Sequence, residues 1–341
     1  MRDTSALETW LLRVWQARSP GACLLWPFSL LFGVLTSLRR ALYRHHVLPS
    51  FRLPVPVIVV GNVVVGGTGK TPLVIWLVDA LRQAGFTPAV ISRGHGGKAN
   101  AEVMEVFIGS SADNVGDEPL LIAQRAGCPV MVGRDRVAAA RALLTAYPLI
   151  DMIISDDGLQ HYRLQRSVEI VLFDERGGGN GWLLPAGPLR ESMGRRRDVT
   201  VLNGQHRPAG LSATCLQMQV AGDVIEALSD RSRSMPLNAV TGRIVAVAGM
   251  GNPQRFFNMV RAAGLTIETI ALSDHHVFSA QTFADVQADV ILMTEKDAVK
   301  CKAVDGIVND PRMWVVPVSA HVDSALMTIV NNKLILEKLR G

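Results

Sequence analysis

The feature that most constrains this chain lies between Val55 and Ala84, where an apolar run is followed by a glycine turn, a Lys-Thr pair and a helical pattern. The continuous apolar run from Val55 to Val60 predicts a strand buried on both faces of a parallel sheet. The turn at residues 66–71 reads GGTGKT, and apolar residues then recur at helical spacing until Gly85. This order of elements is typical of a phosphate-binding loop.

Each part of the turn has a chemical use. Glycines allow successive backbone N–H groups to point into one concavity, and the N-terminus of the next helix adds partial positive charge there. We predict that Lys70 reaches the β- and γ-phosphates of a nucleotide and that the Thr71 hydroxyl binds Mg²⁺. The residues predicted to hold the nucleotide are Gly66, Gly67, Thr68, Gly69, Lys70 and Thr71.

The turn departs from two known forms of the loop. The pattern G-x4-G-K-[ST] has glycine where this chain has Val64, and the variant K-G-G-x-G-K-T has lysine where it has Val65. An ordinary glycine turn between a strand and a helix is therefore the alternative. The strand, the Lys-Thr pair and the helix in correct register favour the phosphate loop.

Length and composition limit the class of protein. A chain of 341 residues predicts two domains, and 48% hydrophobic residues are enough for two cores. Only 19% of the residues are charged and the mean hydropathy is +0.23, which hints at a membrane surface. The net charge of +5 favours anionic partners such as nucleotides, anionic lipid or nucleic acid. The four cysteines form no C-x-x-C pair, which argues against a zinc or redox motif and suits a reducing compartment.

The first 50 residues differ from the rest. The stretch from Ala22 to Leu38 is largely apolar, and Arg39, Arg40 and Arg44 follow it. A cleaved signal peptide fits poorly because the apolar run starts late. A spanning helix also fits poorly, because the run is shorter than about 20 residues and Pro27 interrupts it. We predict a segment lying in the membrane interface, with a helix packed on the protein's own core and a true span as alternatives.

Two shorter motifs follow the phosphate loop. Arg93 lies in a glycine turn after a predicted strand from Pro88 to Ser92, where it would face the ligand crevice of an open α/β sheet, unless this is a plain turn. Asp117 lies in the sequence GDEP before a helical pattern. It is either a helix N-cap or a catalytic carboxylate.

A second apolar strand ends in two acids, Asp156 and Asp157, in the sequence DMIISDD. A carboxylate at such a strand end holds Mg²⁺ in nucleotide sites, directly or through water. Adjacent strand residues point to opposite sides, so one acid is predicted to bind the metal and its neighbour to do something else. His161 could steady these carboxylates. A solvated strand end is the alternative.

The rest of the chain predicts a second, smaller α/β unit. The glycine-rich stretch at residues 177–191 is long enough to predict a functional loop. Strand and helix patterns resume at Thr241, and His275 and His276 lie in a loop, where they are either exposed or supply a general base. The predicted organisation is a membrane-associated segment at residues 1–50, a phosphate-loop nucleotide-binding lobe at 51–235 and a smaller C-terminal α/β lobe at 236–341.

The order of these motifs resembles one family. GGTGKTP, SRG-x-G, GDEP, DDGLQH, NGWLLPAGPLRE, DHH and MTEKDAVK, between about Gly61 and Lys300, resemble the tetraacyldisaccharide 4′-kinases, the lipid A 4′-kinases of Gram-negative bacteria. The resemblance implies two α/β lobes around a cleft and transfer of the γ-phosphate of ATP to the 4′-hydroxyl of a tetraacyldisaccharide 1-phosphate. It also implies Mg²⁺ and a place at the cytoplasmic face of the bacterial inner membrane. We further predict peripheral contact with anionic lipid, a monomer and no nucleic-acid partner.

The resemblance also implies roles for single residues. Lys70 is a catalytic phosphate-loop lysine, Thr71, Asp156 and Asp157 are metal residues, and Asp117 is the base, with His275 as its partner. Arg93, Asn180 and Arg190 are substrate residues. One departure is visible, because the family has tyrosine where this chain has His95.

Two other function classes stay open at this stage. A membrane-tethered ATPase switch would share the phosphate loop and the apolar N-terminus, although it usually has a lysine where this chain has Val65. A binding module with a degenerate loop would fail to respond to Mg-ATP.

Overall fold

The strand that precedes the glycine turn, β1 (Val57–Gly61), is the central strand of a nine-stranded sheet. A computed structural model describes residues 6–97, 102–212, 214–274 and 276–339. The spatial order of this large sheet is β15 (Ser319–Val322), β8 (Leu216–Ala221), β7 (Val199–Asn203), β6 (Val168–Asp174), β1, β5 (Met152–Asp156), β2 (Pro88–Ser92), β4 (Val130–Val132) and β3 (Met104–Glu105). Pairing is parallel from β8 to β4 and antiparallel at the two edge strands.

A second sheet of six strands forms the smaller unit. Its order is β10 (Ser234–Pro236), β9 (Val224–Ala227), β14 (Met313–Val316), β13 (Val290–Thr294), β11 (Ile244–Ala248) and β12 (Glu268–Ala271). The strands from β14 to β12 are parallel, and β9 and β10 are antiparallel. The predicted fold class, a phosphate-loop sheet with a smaller α/β unit and an N-terminal apolar helix, is confirmed.

The helices cover both faces of the two sheets. Their bounds are α1 (Ala6–Val14), α2 (Pro20–Arg44), α3 (Lys70–Gln83), α4 (Ala112–Val115), α5 (Asp117–Ala126), α6 (Arg136–Ala146), α7 (Pro253–Ala262), α8 (Glu295–Cys301), α9 (Asp305–Val308) and α10 (Ala325–Lys338). Short 3₁₀ turns lie at Leu237–Ala239 and Ala280–Phe283. Alternate residues of β1 enter two different cores, Ile58 with α3 on one face and Val59 on the other. This is why the strand reads as an unbroken apolar run.

The predicted lobe boundaries do not match the sheets. Strand β9, placed by sequence in the phosphate-loop lobe, pairs with β14 of the small sheet. Strand β15 and helix α10, placed in the C-terminal lobe, return to the large unit, where β15 pairs with β8 and α10 packs its apolar side into the core on one face of the large sheet. Edge strands pair with whichever sheet edge is open, and sequence order alone does not reveal that choice.

Helix α2 corrects one sequence argument. It is continuous over 25 residues with Pro27 inside it, so proline does not interrupt the apolar run. It is the one helix among the described residues that is long and apolar enough to cross a membrane. Of its most apolar stretch of 18 residues, 11% is buried in the protein. The packing of α2 on the protein's own core is therefore limited to one narrow side.

Candidate active site

The glycine turn forms a loop between β1 and the first residue of α3, Lys70. Gly66 and Gly69 adopt φ angles of 100° and 97°, which only glycine adopts without strain. A Cβ atom on Gly69 would also overlap the side-chain amide of Asn203. The loop therefore delivers backbone N–H groups and the N-terminus of α3 to one point, the arrangement that binds phosphate.

Two side-chain amides that the sequence analysis did not single out stabilise the loop by hydrogen bonds. Asn62 Nδ2 donates to Gly66 O at 3.1 Å and to Thr68 Oγ1 at 3.2 Å. Asn203 Nδ2 donates to Thr68 O at 2.8 Å, and Arg255 of the small unit hydrogen-bonds to Asn203 Oδ1. Thr68 is fully buried by these contacts. The Thr68 side chain therefore stabilises the conformation of the loop from its buried side.

The structure explains why valines replace the expected glycine and lysine. Val64 is buried and forms an isolated bridge with Leu189, and Val65 N donates to Pro188 O at 2.9 Å. On the other side Arg190 N donates to Val63 O at 2.7 Å. This part of the turn is thus a short strand-like strip on which the loop at residues 177–191 is docked.

That docking brings Arg190 to the acid pair. Arg190 Nη1 lies 3.1 Å from Asp157 Oδ2, and Lys70 Nζ lies 3.6 Å from Asp157 Oδ1. Burial raises the pKa of Asp157, but the two cations outweigh it and hold the pKa below its ordinary value. Asp157 has a φ of 47°, because the chain leaves β5 at Asp156 and turns. The two acids consequently have different surroundings, as the sequence predicts.

Asp156 is the more deeply buried acid. Ser92 Oγ donates to its Oδ2 at 3.1 Å, whereas Oδ1 has no hydrogen-bond partner among the residues that the structure describes. Burial and the nearby Glu118 raise the pKa of Asp156 to about 7. A carboxylate oxygen of this kind, buried and unpaired beside a phosphate loop, fits a bound cation. Thr71, half-buried in the first turn of α3, lies next to Lys70.

Asp117 is the first residue of α5 and its side chain is 4% exposed. The N-cap of α5 is Gly116, so the prediction of Asp117 as an N-cap is wrong. Its carboxylate accepts a hydrogen bond from Glu118 N at 3.0 Å. Two ammonium groups of the small unit face it, with Lys300 Nζ 3.3 Å and Lys296 Nζ 3.7 Å from Oδ2.

The predicted partner of Asp117, His275, lies outside the described residues. The residue before it, Asp274, places Oδ1 3.2 Å from Lys296 Nζ. The residue after it, His276, packs its ring edge-on against Phe278 with centroids 5.1 Å apart, and burial together with Lys300 lowers the pKa of His276.

Arg136 lies near both acids, and Arg93 lies near Arg136. Arg93 follows β2 and is exposed. Arg136, which the sequence did not single out, is buried and donates to Gly133 O at 3.0 Å. Burial lowers the pKa of Arg136 to about 10, against the opposing pull of Asp156 and Asp157. His161 lies beside Asp135 instead of the acid pair, with Nε2 3.7 Å from Oδ1, and burial lowers its pKa to about 4.

Asn180 has a role other than the predicted substrate contact. Its buried amide nitrogen donates to the carbonyls of Val14, Ala17 and Ala186 at 3.2, 3.4 and 2.8 Å. Its Oδ1 accepts from Trp182 N at 3.0 Å. Both ends of the amide are therefore committed to backbone, and the prediction is corrected: Asn180 ties the loop at residues 177–191 to the junction of α1 and α2.

Helix α2 is held against the same loop. Ser29 Oγ donates to Leu183 O at 2.7 Å and accepts from Ala186 N at 2.9 Å. The rest of the α2 surface exposes a set of large apolar side chains, namely Leu24, Phe28, Leu30, Leu31, Val34, Leu35 and Leu38, while the half-exposed Trp26 lies against Trp182 of the loop. The exposed Arg39 and Arg44 follow toward its C-terminal end. An apolar face of this size beside a basic end is typical of a membrane-contacting surface.

Comparisons with known proteins agree over nearly the whole chain. A family model described as tetraacyldisaccharide-1-P 4′-kinase matches residues 21–335. A protein of Janthinobacterium sp. (strain Marseille) named tetraacyldisaccharide 4′-kinase is 57% identical over 344 residues, which cover 99% of this chain and 97% of that protein. A protein of Herminiimonas arsenicoxydans with the same name is 54% identical over 353 residues, with the same coverage of 99% and 97%.

A solved structure is also similar. It is the "apo" form of LpxK from Aquifex aeolicus in complex with ATP, with a TM-score of 0.76 and 27% sequence identity. The match covers 92% of this chain and 99% of that chain, so it includes both sheets.

Proposed function

The chain belongs to the tetraacyldisaccharide-1-P 4′-kinase family, and we propose how the residues of its cleft divide the work of that reaction. The protein is an ATP-dependent kinase of lipid A biosynthesis, which transfers the γ-phosphate of ATP to the 4′-hydroxyl of a tetraacyldisaccharide 1-phosphate. The observation that supports the assignment of roles most directly is the meeting of Lys70, Asp157 and Arg190 beside the glycine loop.

The glycine loop is proposed to hold the phosphate tail of ATP. Backbone N–H groups between Gly66 and Gly69 and the N-terminus of α3 supply the cradle, and Lys70 supplies the charge next to the γ-phosphate. When ATP binds, its phosphates compete with Asp157 for Lys70. The 3.6 Å contact between Lys70 and Asp157 is long enough to be exchanged without loss of a tight ion pair.

The residues proposed to hold Mg²⁺ are Thr71, Asp156 and Asp157. The unpaired, buried Oδ1 of Asp156 supports this assignment, since a bound cation would give that oxygen a partner. Bound Mg²⁺ supplies charge neutralisation on the β- and γ-phosphates. Ser92 fixes the other oxygen of Asp156 and so orients the carboxylate.

Asp117 is proposed to take the proton of the attacking sugar hydroxyl. A sugar hydroxyl is a weak nucleophile, and a positioned carboxylate that accepts its proton accelerates transfer typically ~10²–10⁴-fold. His275 is proposed to orient Asp117 and share the proton. Arg93 and Arg190 are proposed to contact the anionic groups of the two substrates, since Arg190 pairs with Asp157 and Arg93 lies near Arg136, which is itself near both acids.

The glycolipid is proposed to reach this cleft from the membrane. Helix α2 exposes its apolar side while Ser29 holds the loop at residues 177–191, so one element contacts both lipid and the cleft wall. We place this contact at the cytoplasmic face of the bacterial inner membrane, where ATP is available, and propose that the protein acts there as a monomer bound to anionic lipid.

The test is ATP consumption by the purified full-length chain with Mg²⁺, with and without a tetraacyldisaccharide 1-phosphate in mixed micelles. We expect ADP formation to depend on the acceptor and one phosphorylated glycolipid to form per ADP. The variant Lys70→Met serves as the inactive control. ADP formation that ignores the acceptor would contradict the kinase assignment and favour an ATPase switch.

A further inference from the structure

Two lysines on α8 of the small unit face the large unit. Lys296 and Lys300 are four positions apart, so their side chains lie on the same side of the helix. Lys296 Nζ lies within ion-pair distance of three carboxylates, at 3.2 Å from Asp274, 3.3 Å from Glu118 and 3.7 Å from Asp117. Lys300 Nζ lies 3.3 Å from Asp117. The Asp117 carboxylate is therefore held between two ammonium groups that come from the other unit.

The helix that carries these lysines is fixed in place. Thr294 Oγ1 accepts from Asp297 N at 3.2 Å at its N-terminus. The fully buried Asp297 accepts from Gly249 N at 2.9 Å and from Thr294 Oγ1 at 2.7 Å, which ties α8 to the loop after β11. Helix α8 is thus anchored to the small unit.

Helices α5 and α8 are joined at both ends. Arg125 in the last turn of α5 lies 2.6 Å from Glu295, the first residue of α8. At the other end Asp117, the first residue of α5, meets Lys300 in the last turn of α8. The two helices therefore run in opposite directions, and the contact at Asp117 forms only when α8 is docked along the length of α5.

We propose that Lys296 and Lys300 are positioning residues for Asp117, which hold its carboxylate ionised and fixed in direction only while the small unit is docked on the large one. The proposal rests on the proposed role of Asp117 as the base. Neither lysine is assigned a contact with substrate. Lys296 also pairs with Asp274, so it links Asp117 to the loop after β12.

The charges around Asp117 decide the expected direction. Burial and the neighbouring Glu118 and Asp274 favour the protonated form of Asp117, whereas Lys296 and Lys300 favour the ionised form. An opposite charge within about 4–6 Å typically lowers the pKa of a carboxyl by ~1–3. Loss of one lysine should therefore favour the protonated, inactive form of Asp117 more than in the wild type, which is expected to move the acid limb of kcat upward.

The experiment compares Lys296→Met and Lys300→Met with the wild-type chain. Methionine keeps most of the length of the side chain and removes the charge. The matched control is Lys302→Met, because Lys302 is exposed at the C-terminal end of the same helix. The measurement is kcat against pH, with saturating Mg-ATP and tetraacyldisaccharide 1-phosphate.

We expect the acid limb of kcat to move up by about one pH unit or more in each Met variant, with KM for ATP changed less than about twofold. The control should keep the wild-type profile, and Lys296→Arg should restore it because the charge is kept. An acid limb that stays in place in both Met variants would overturn the proposal.

A double variant separates positioning from folding. If the lysines act through Asp117, then Lys296→Met should lower kcat far less in an Asp117→Asn background than in the wild type. An equal loss in both backgrounds would mean that Lys296 has only a structural role and would overturn the proposal. If the wild-type chain itself transfers no phosphate to the glycolipid, the proposed function fails, which is a separate result.

Discussion

Replacing Asp156 by asparagine should make the metal-free protein more stable and the Mg-ATP complex less stable. Asp156 is 1% exposed, and burial with the nearby Glu118 raises its pKa from the ordinary 3.8 to about 7. A folded-state pKa above the unfolded one means that the folded state binds more protons between these values, so stability is lost as pH rises through that range. An asparagine side chain at this position cannot ionise, so the variant escapes this loss.

The magnitude follows from the two pKa values. At 1.36 kcal/mol per pKa unit, ionisation of Asp156 costs the folded state up to ~4 kcal/mol above neutral pH. Part of this stability is already lost by the wild type near pH 5. The free energy of unfolding of Asp156→Asn relative to the wild type should therefore rise by ~3 kcal/mol between about pH 5 and about pH 8. Ser92 can donate to the amide oxygen of asparagine as it does to the carboxylate, and the amide nitrogen then takes the unpaired position of Oδ1 at a cost of ~1–3 kcal/mol that does not change with pH.

The assay is urea unfolding in a chelator, followed by tryptophan fluorescence near both pH values. The variant should also lose most of the rise in melting temperature that Mg-ATP gives the wild type, because one proposed metal ligand is gone. If the difference in stability between Asp156→Asn and the wild type does not change with pH, the argument that ionisation of Asp156 destabilises the folded protein is refuted. An undiminished response to Mg-ATP would refute its role at the metal.

Three further changes test other parts of the site. Asp117→Asn should lower kcat ~10²–10⁴-fold with KM for ATP nearly unchanged, and a rise in KM alone would make Asp117 a binding residue. Asn180→Ala should cost ~1–3 kcal/mol of stability by leaving buried carbonyls unpaired, and should raise KM for the glycolipid more than KM for ATP; the opposite order would contradict a loop anchor. Leu31→Glu with Leu35→Glu should weaken binding to anionic vesicles at least ~100-fold, since each buried leucine contributes ~1.5–3 kcal/mol. The control Leu149→Glu, at an exposed leucine in the turn after α6, should leave vesicle binding unchanged, and equal loss in both variants would contradict a role for α2.

Some parts of the site could be predicted because their signal is local. The phosphate loop consists of consecutive residues. The spacing of these residues was therefore enough to predict the strand, the turn and a helix that begins near Lys70. The acid pair was predictable for the same reason, since β5 ends at Asp156. The sequence alone could not explain why Val64 replaces the glycine of the usual loop pattern. Its partner Leu189 is far away in the sequence and pairs with Val64 only in the folded protein.

Other parts depend on how distant elements dock. From the sequence, Lys296 and Lys300 look like exposed lysines of a helix. Only the packing of α5 against α8 brings them to Asp117. Asn180 was predicted to contact substrate only through the family resemblance, and its amide nitrogen donates to backbone carbonyls of the N-terminal segment. Pro27 reads as an interruption, but a helix can contain proline when only one backbone hydrogen bond is given up.

The most direct test of the central claim is the fate of the γ-phosphate itself. ATP labelled at the γ-phosphorus is incubated with the full-length chain, Mg²⁺ and a tetraacyldisaccharide 1-phosphate, and the position of the label on the sugar is determined by NMR. We predict label on the 4′-oxygen alone, with none transferred by Lys70→Met. Label released as free phosphate, or label on the sugar that persists in Lys70→Met, would contradict the claim that the glycine loop and its lysine hold the phosphate that is transferred.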